Sequence, residues 1–319
     1  MTTCAPSAPR AAAVVRVLND LEAWLAPRSV AEARADDVRA FLAAKSAEGY
    51  QPTTVRKWRG ILLAFYRWMW ESGQVSSDTL LEMRAIPAPA SREAHPQPYK
   101  RTEITALWRL LDERWPKLPP DQAHKWVGRW REGHSPYPRV RSHGIHLQLE
   151  AIMRLALHLG LRRGEIAALD VEAMHPDNVG VIVWPKTGPW TQGWRQVPYT
   201  DSARSAVEAW LHFRDAADAN HDRPWLNLYA ADTANRPMAR HTFERLILNY
   251  VGEGWTLKRL RDTGAVTWVR AGLPLEHLRQ LLGLASINDV LPYARLATQT
   301  LERRVERVGP ALDAALCTA

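Results

Sequence analysis

The stretch GWTLKRLRDTGAVTWVRAGLPLEHLRQLLGLASINDVLPYARL, residues 254–296, decides how the rest of the chain is read. It contains two helices and a turn that leads to a tyrosine. Thr256 is a capping residue type and Gly272 an ending one, and Pro274 opens a second helix that Gly283 closes. Lys258 and Arg261 stand three apart, so both cationic heads leave one face of the first helix. Tyr293 comes ten residues after Gly283. Pro292 is expected to interrupt a regular helix there, which would put Tyr293 on a kinked turn.

Upstream, residues 147–159 are nearly all apolar and read as a helix buried on most sides. They run into GLRRGEIAALD, residues 160–170, where Arg162 emerges beside a glycine turn and Glu165 stands three positions on to hold it. Taken alone, such a box also describes an ordinary Arg–Glu surface pair. Next come VGVIVW (179–184), the turn PKTGPWTQGW with Lys186 near its start, and RQVPYT (195–200), a hairpin pattern. Helices over 201–217 and 240–251 complete this half.

The first half reads differently. Residues 11–85 form a four-helix pattern. Val14, Val17, Leu18, Leu21, Trp24 and Leu25 mark the first helix, and Asp36 is the expected cap of the second. Thr53 is the expected cap of the third, with Val55, Trp58, Leu62, Phe65 and Met69 buried. Its other face carries Arg56, Lys57, Gly60 and Arg67, with Arg59 at the edge. A solvated basic face is the plain reading of that set. Residues 87–98 are proline-rich and read as a semi-rigid linker. The domains expected are thus 1–86, a linker 87–98, and 99–319. Within the last, residues 117–144 read as a basic segment with interleaved aromatics, either a surface loop or a nucleic-acid contact.

Composition agrees with a polyanionic partner: 42 Lys and Arg against 34 Asp and Glu give a formal net charge of +8 over 319 residues. The two cysteines, Cys4 and Cys317, form no metal-ligand spacing and no disulfide framework, as expected for a reducing cytoplasm. No apolar run approaches a membrane span, so no membrane partner is expected. The fifteen tryptophans are expected to be mostly packing residues.

The 254–296 stretch resembles the C-terminal signature of the tyrosine recombinases, the phage-integrase family. There the pattern is His-x-x-Arg, a Leu-Gly-His turn, and the nucleophilic tyrosine nine residues after that second histidine. Lys258, Arg261, Leu284 and Tyr293 occupy the four places, so two match and two depart. GLRRGEIAALD is similar to the family's first arginine box, with Leu159 in its usual threonine place, and Lys186 holds the place of its hairpin lysine. The third N-terminal helix resembles the one that the family's helical, SAM-like core-binding domain lays on DNA.

The resemblance implies a mainly α fold with a small antiparallel β-sheet (α+β), as a core-binding domain plus a catalytic domain. It implies a site-specific recombinase that cuts and rejoins DNA through a 3′-phosphotyrosine, with no metal, ATP or other cofactor. Catalytic roles fall to Tyr293, Arg162, Arg261, Lys186, Lys258 and Glu165, and DNA contacts to Thr53, Arg56, Lys57, Arg59 and Arg67. Lys186 would protonate the leaving 5′-oxygen. The partners implied are double-stranded recombination sites and a homo-tetramer, one dimer per site, in the cytoplasm at the nucleoid. Accessory DNA-bending or directionality factors are further candidate partners. With no arm-binding segment expected before residue 11 and both histidines replaced, the pattern fits a simple phage or mobile-element integrase. The final helix after Tyr293, with Leu296, Leu301, Val305 and Val308, would dock on a neighbouring protomer or on its own domain.

The chemistry explains these residue types. A phosphodiester transition state gathers charge on its non-bridging oxygens, and two arginines can hold those oxygens while staying charged. A tyrosine with an ordinary pKa near 10 attacks poorly unless its phenolate is stabilised. No acidic cluster in the sequence points to a two-metal nuclease. Lys258 can donate to phosphate but is a poor base while charged, and Leu284 donates nothing. Those departures leave a catalytically impaired DNA-binding protein of the same fold as the alternative. A plain helix-turn-helix regulator over 256–283 leaves Arg162, Lys186 and Tyr293 unexplained.

Overall fold

A computed structural model describes residues 8–89, 96–115, 117, 118, 125, 127, 137–184, 193–228, 236–239 and 241–297. The chain divides into two compact units, Met1–Ala94 and His95–Ala319.

The first unit packs four helices, α1 (Ala8–Leu25), α2 (Ala35–Ala47), α3 (Pro52–Glu71) and α4 (Ser77–Ala85). Its core joins Val17 and Leu21 of α1, Phe41 of α2, Leu62 of α3 and Met83 of α4. Two helix starts differ from expectation. Asp37, not Asp36, caps α2, by taking the Arg34 N–H from the third helical position at 2.9 Å. Pro52 opens α3 after an extended Gln51, which leaves Thr53 inside the first turn rather than before it. The buried face of α3 is Val55, Trp58, Leu62, Tyr66 and Met69. Tyr66 takes the place expected of Phe65 because steps of three and four keep one face inward, and position 65 lies one step off it.

In the second unit, α6 (Tyr137–His158) is the central helix, with α5 (Arg101–Arg114) before it. After it come α7 (Arg163–Ile166), the two-stranded sheet β1 (Gly180–Val183) and β2 (Arg195–Pro198), α8 (Asp201–Ala216) and α9 (Thr242–Tyr250). The signature stretch forms α10 (Leu257–Ala271), α11 (Leu275–Leu282) and α12 (Leu291–Ala297). The strands pair antiparallel, with Val181 opposite Val197. Every residue from His143 to Leu149 on α6 is buried, because α8 and α10 both pack on it. The helix begins ten residues before the expected Leu147, so it takes in Arg139 and Arg141. Arg141 supports the fold, its Nε donating to the Leu228 carbonyl and its Nη2 to the Tyr250 hydroxyl. Lys117 donates to Glu150, whereas most of the basic segment between them lies outside the described residues. Among the described residues no helix is long and apolar enough to cross a membrane.

The expected caps are in place around the tyrosine. The Thr256 side chain accepts the Arg259 N–H, and Gly272 and Gly283 end their helices with positive φ. Pro292, however, does not break the chain. It occupies the second position of α12, where its missing N–H is no loss, so Tyr293 rides on a regular first turn.

Gly264 fixes how closely α10 approaches α6. A Cβ there would meet the Leu157 carbonyl oxygen at 1.7 Å. Alanine normally stabilises a helix interior relative to glycine by about 1 kcal/mol. Here the backbone clash reverses the sign, and Gly264→Ala is expected to destabilise by about 3 kcal/mol or more. Thermal unfolding measures this, and a variant as stable as the wild type would contradict the close packing.

Candidate active site

Gly160, at φ +64, turns the chain out of α6, and Arg162 follows in extended conformation as the cap of α7. The Arg162 N–H donates to Glu165 Oε2 at 2.7 Å and its Nη1 to Oε1 at 2.9 Å. Its Nη2 donates to the Gly283 carbonyl at the end of α11, at 3.0 Å. Arg195, first residue of β2, makes a two-pronged pair with the same carboxylate, at 3.1 and 3.0 Å. Arg261 approaches from α10, with Nη1 3.8 Å from Glu165 Oε2. Its guanidinium is buried and held by the carbonyls of Gly160 at 2.6 Å and Leu282 at 2.9 Å.

Three guanidiniums thus surround one buried carboxylate, an excess of two positive charges in a partly desolvated place. Burial favours the neutral form of Glu165, but the bonds and charges of Arg195 and Arg162 outweigh it and hold the pKa below its ordinary value. Burial, reinforced by the charge of Arg162, lowers Arg261 to about 10, which leaves it charged at neutral pH. Unused N–H donors on the three side chains can take the oxygens of a bound anion.

Tyr293 is half-buried on α12, and its hydroxyl donates to Asp262 Oδ1 at 3.0 Å. Burial pushes its pKa up to about 12, the Asp262 charge adds to the rise, and Arg261 opposes it. Asp262 is itself buried, and that burial raises its carboxyl pKa against the pull of the Tyr293 bond, Lys258 and Arg261. Lys258 stands exposed in the first turn of α10. Leu284 packs in an apolar cluster with Leu278, Leu282, Val290 and Tyr293, so its position offers no donor. A cleft of about 750 Å³ opens beside this cluster, lined among others by Arg162, Arg195, Trp184, Trp194, His277 and Leu284. Trp184 and Trp194 are both 61% exposed, unlike the buried Trp210 and Trp225, so the tryptophans do not serve packing alone.

The structure therefore brings Arg162, Glu165, Arg261 and Tyr293 together and sets Lys258 close by. Lys186 lies outside the described residues. Two further members, Arg195 and Asp262, carry weaker sequence signals. Arg195 shares a strand face with the buried Val197, so alternation alone places it inward. Asp262 stands one turn from Lys258 and beside Arg261 on a helix already singled out.

On the first unit, Thr53, Arg56, Lys57 and Arg67 are exposed along α3. Arg59 is drawn onto the fold: its Nε donates to the Ile86 carbonyl at 2.7 Å and its Nη2 to that of Arg84 at 3.3 Å, satisfying the end of α4. Arg56 reaches the Pro89 carbonyl, and Arg67 pairs with Glu71.

An arginine-rich cluster beside a half-buried tyrosine, on a helical domain with a small two-stranded sheet, is the arrangement of the tyrosine recombinases, and the chain belongs to the phage integrase family, whose model matches residues 139–300. It is similar to tyrosine recombinase XerD from Brucella suis biovar 1 (strain 1330), with 26% identity over 291 residues, covering 89% of this chain and 85% of the relative. Tyrosine recombinase XerC from Alcanivorax borkumensis is 21% identical over 86% of this chain and 79% of its own. Among solved structures, the Tn1549 transposon integrase bound to transposon right end DNA shares the fold with a TM-score of 0.64 at 13% identity, covering 95% of both chains. A lambda integrase dimer bound to a COC′ core site matches with a TM-score of 0.60 at 12% identity, covering 91% of this chain and 90% of the other.

Proposed function

We propose that the chain is a site-specific DNA recombinase that exchanges strands through a 3′-phosphotyrosine at Tyr293. The observation that carries this reading is the excess positive charge of Arg162, Arg195 and Arg261 around Glu165, set beside the Tyr293 hydroxyl. Arg162 and Arg261 hold the non-bridging oxygens of the scissile phosphate, and Glu165 keeps their guanidiniums oriented. Lys186 protonates the leaving 5′-oxygen, and Lys258 adds a donor in the place where the family pattern has histidine. The covalent phosphotyrosine conserves the energy of the broken bond, so neither ATP nor a metal is required for rejoining. Thr53, Arg56, Lys57 and Arg67 of the first unit contact the DNA backbone, and Arg59 supports the helix that presents them. Two dimers, each on one recombination site, form the working tetramer. The named relatives and the DNA-bound neighbours support the substrate class.

The test is strand exchange on DNA flanking the gene, in chelator and without nucleotide. Recombinant product under those conditions supports the reading. Binding with no strand cleavage would favour the impaired DNA-binding protein that Leu284 and Lys258 leave open.

Leu284 gives a further prediction. Leu284→His would supply a donor at the cleft wall beside Arg162, at a cost of apolar packing near Tyr293. One added transition-state donor is worth on the order of 10²-fold, and a gain of about 10-fold or more in single-turnover cleavage is expected. An unchanged rate would mean that the phosphate does not approach this position.

A further inference from the structure

Resting on the reading of Tyr293 as nucleophile, we infer that Asp262 is the catalytic base that receives the tyrosine proton. Tyr293 Oη donates to Asp262 Oδ1 at 3.0 Å, from α12 to α10, two helices that pack on each other. Asp262 is 4% exposed, so its carboxylate faces the protein rather than solvent. The other charged groups that act on this pair are cations, Lys258 one turn before Asp262 and Arg261 immediately before it. A charged lysine or arginine cannot accept a proton, and Glu165 is engaged by Arg162 and Arg195. Among the described residues the Asp262 carboxylate is the acceptor that the hydroxyl meets.

The step balances. Tyr293 Oη attacks phosphorus and forms the P–Oη bond while the P–O5′ bond breaks. The phenolic proton moves to Asp262 Oδ1, and the leaving 5′-oxygen takes its proton from Lys186. Asp262 becomes neutral as the phosphate arrives, which removes an anion from beside the transition state's charge. In the return step the 5′-hydroxyl attacks, its proton returns to Lys186, and Asp262 gives its own proton back to Oη. The base is needed because Lys258 stands where the family pattern has histidine.

Asp262→Asn separates proton transfer from positioning, since an amide oxygen still accepts the Tyr293 hydrogen bond but cannot hold the proton. Single-turnover cleavage would be measured on a nicked suicide substrate and on its analogue with sulfur in the 5′-bridging position, whose leaving group needs no proton. Asp262→Asn is expected to be slower by roughly 10²–10⁴-fold on both substrates, with DNA affinity and melting temperature near wild type. Lys186→Ala is expected to be slow on the oxygen substrate alone. Asp262→Ala with formate in the buffer is the second route, and partial recovery of rate is expected. Wild-type cleavage by Asp262→Asn, or a defect that sulfur erases, would overturn the assignment. If wild-type protein itself makes no covalent complex, the failure is of the recombinase reading and not of Asp262 alone.

Discussion

Glu165→Gln is expected to lower the stability of the second unit by about 3–5 kcal/mol, a fall in melting temperature on the order of 10 °C. Among the described residues the carboxylate is the anion that pairs with Arg162, Arg195 and Arg261, and its side chain is only 8% exposed. Glutamine keeps one acceptor oxygen and loses the charge, so three guanidiniums, of which that of Arg261 is buried, are left to repel one another. Added sulfate or phosphate is expected to recover part of the loss by occupying the cluster. The difference has a defined pH dependence. The folded carboxyl sits below its ordinary value of 4.5, so its stabilisation is complete above that value and is lost as pH falls through the folded one. The gap between wild type and variant should therefore be largest at neutral pH and narrow in acid. A gap that is small at pH 7, or indifferent to sulfate, would mean that Glu165 does not hold the arginines.

Tyr293→Phe is expected to abolish the covalent protein–DNA complex entirely while leaving DNA affinity within a few-fold of wild type. In the proposed mechanism the side chain supplies the attacking oxygen, while the arginines are held mainly by Glu165 and by backbone carbonyls. The variant also leaves the buried Asp262 carboxylate without its hydroxyl partner. Such a loss costs about 1–3 kcal/mol, so a modest drop in melting temperature should accompany the loss of chemistry. Residual covalent complex in this variant would assign the nucleophile elsewhere.

Much of the site was legible because its members are tied to strong local signals. Gly160, Gly272 and Gly283 punctuate helices, and the pairs Arg162/Glu165 and Lys258/Arg261 each stand three residues apart on the helices so marked. Arg195 was harder to see because its partner is a carboxylate thirty residues away, brought near only when the sheet folds. Asp262 resembles any helix-surface acid until α12 lays Tyr293 over it. Pro292 misled in the opposite sense. Its cost depends on helix position, and the helix start one residue before it was not marked by a strong cap. In the first unit, spacing alone places the basic residues of α3 on one face. The turn of Arg59 onto the Ile86 and Arg84 carbonyls is a tertiary event that spacing cannot show.

Whether Tyr293 is the residue joined to DNA is tested by trapping the wild-type protein on a nicked suicide substrate. The trapped complex is then digested with nuclease and protease, and the nucleotide-bearing peptide is sequenced by mass spectrometry. The expected result is a 3′-linked nucleotide on the peptide that contains Tyr293. A nucleotide on any other residue, or a trapped complex with no adduct at Tyr293, would show that Tyr293 is not the nucleophile.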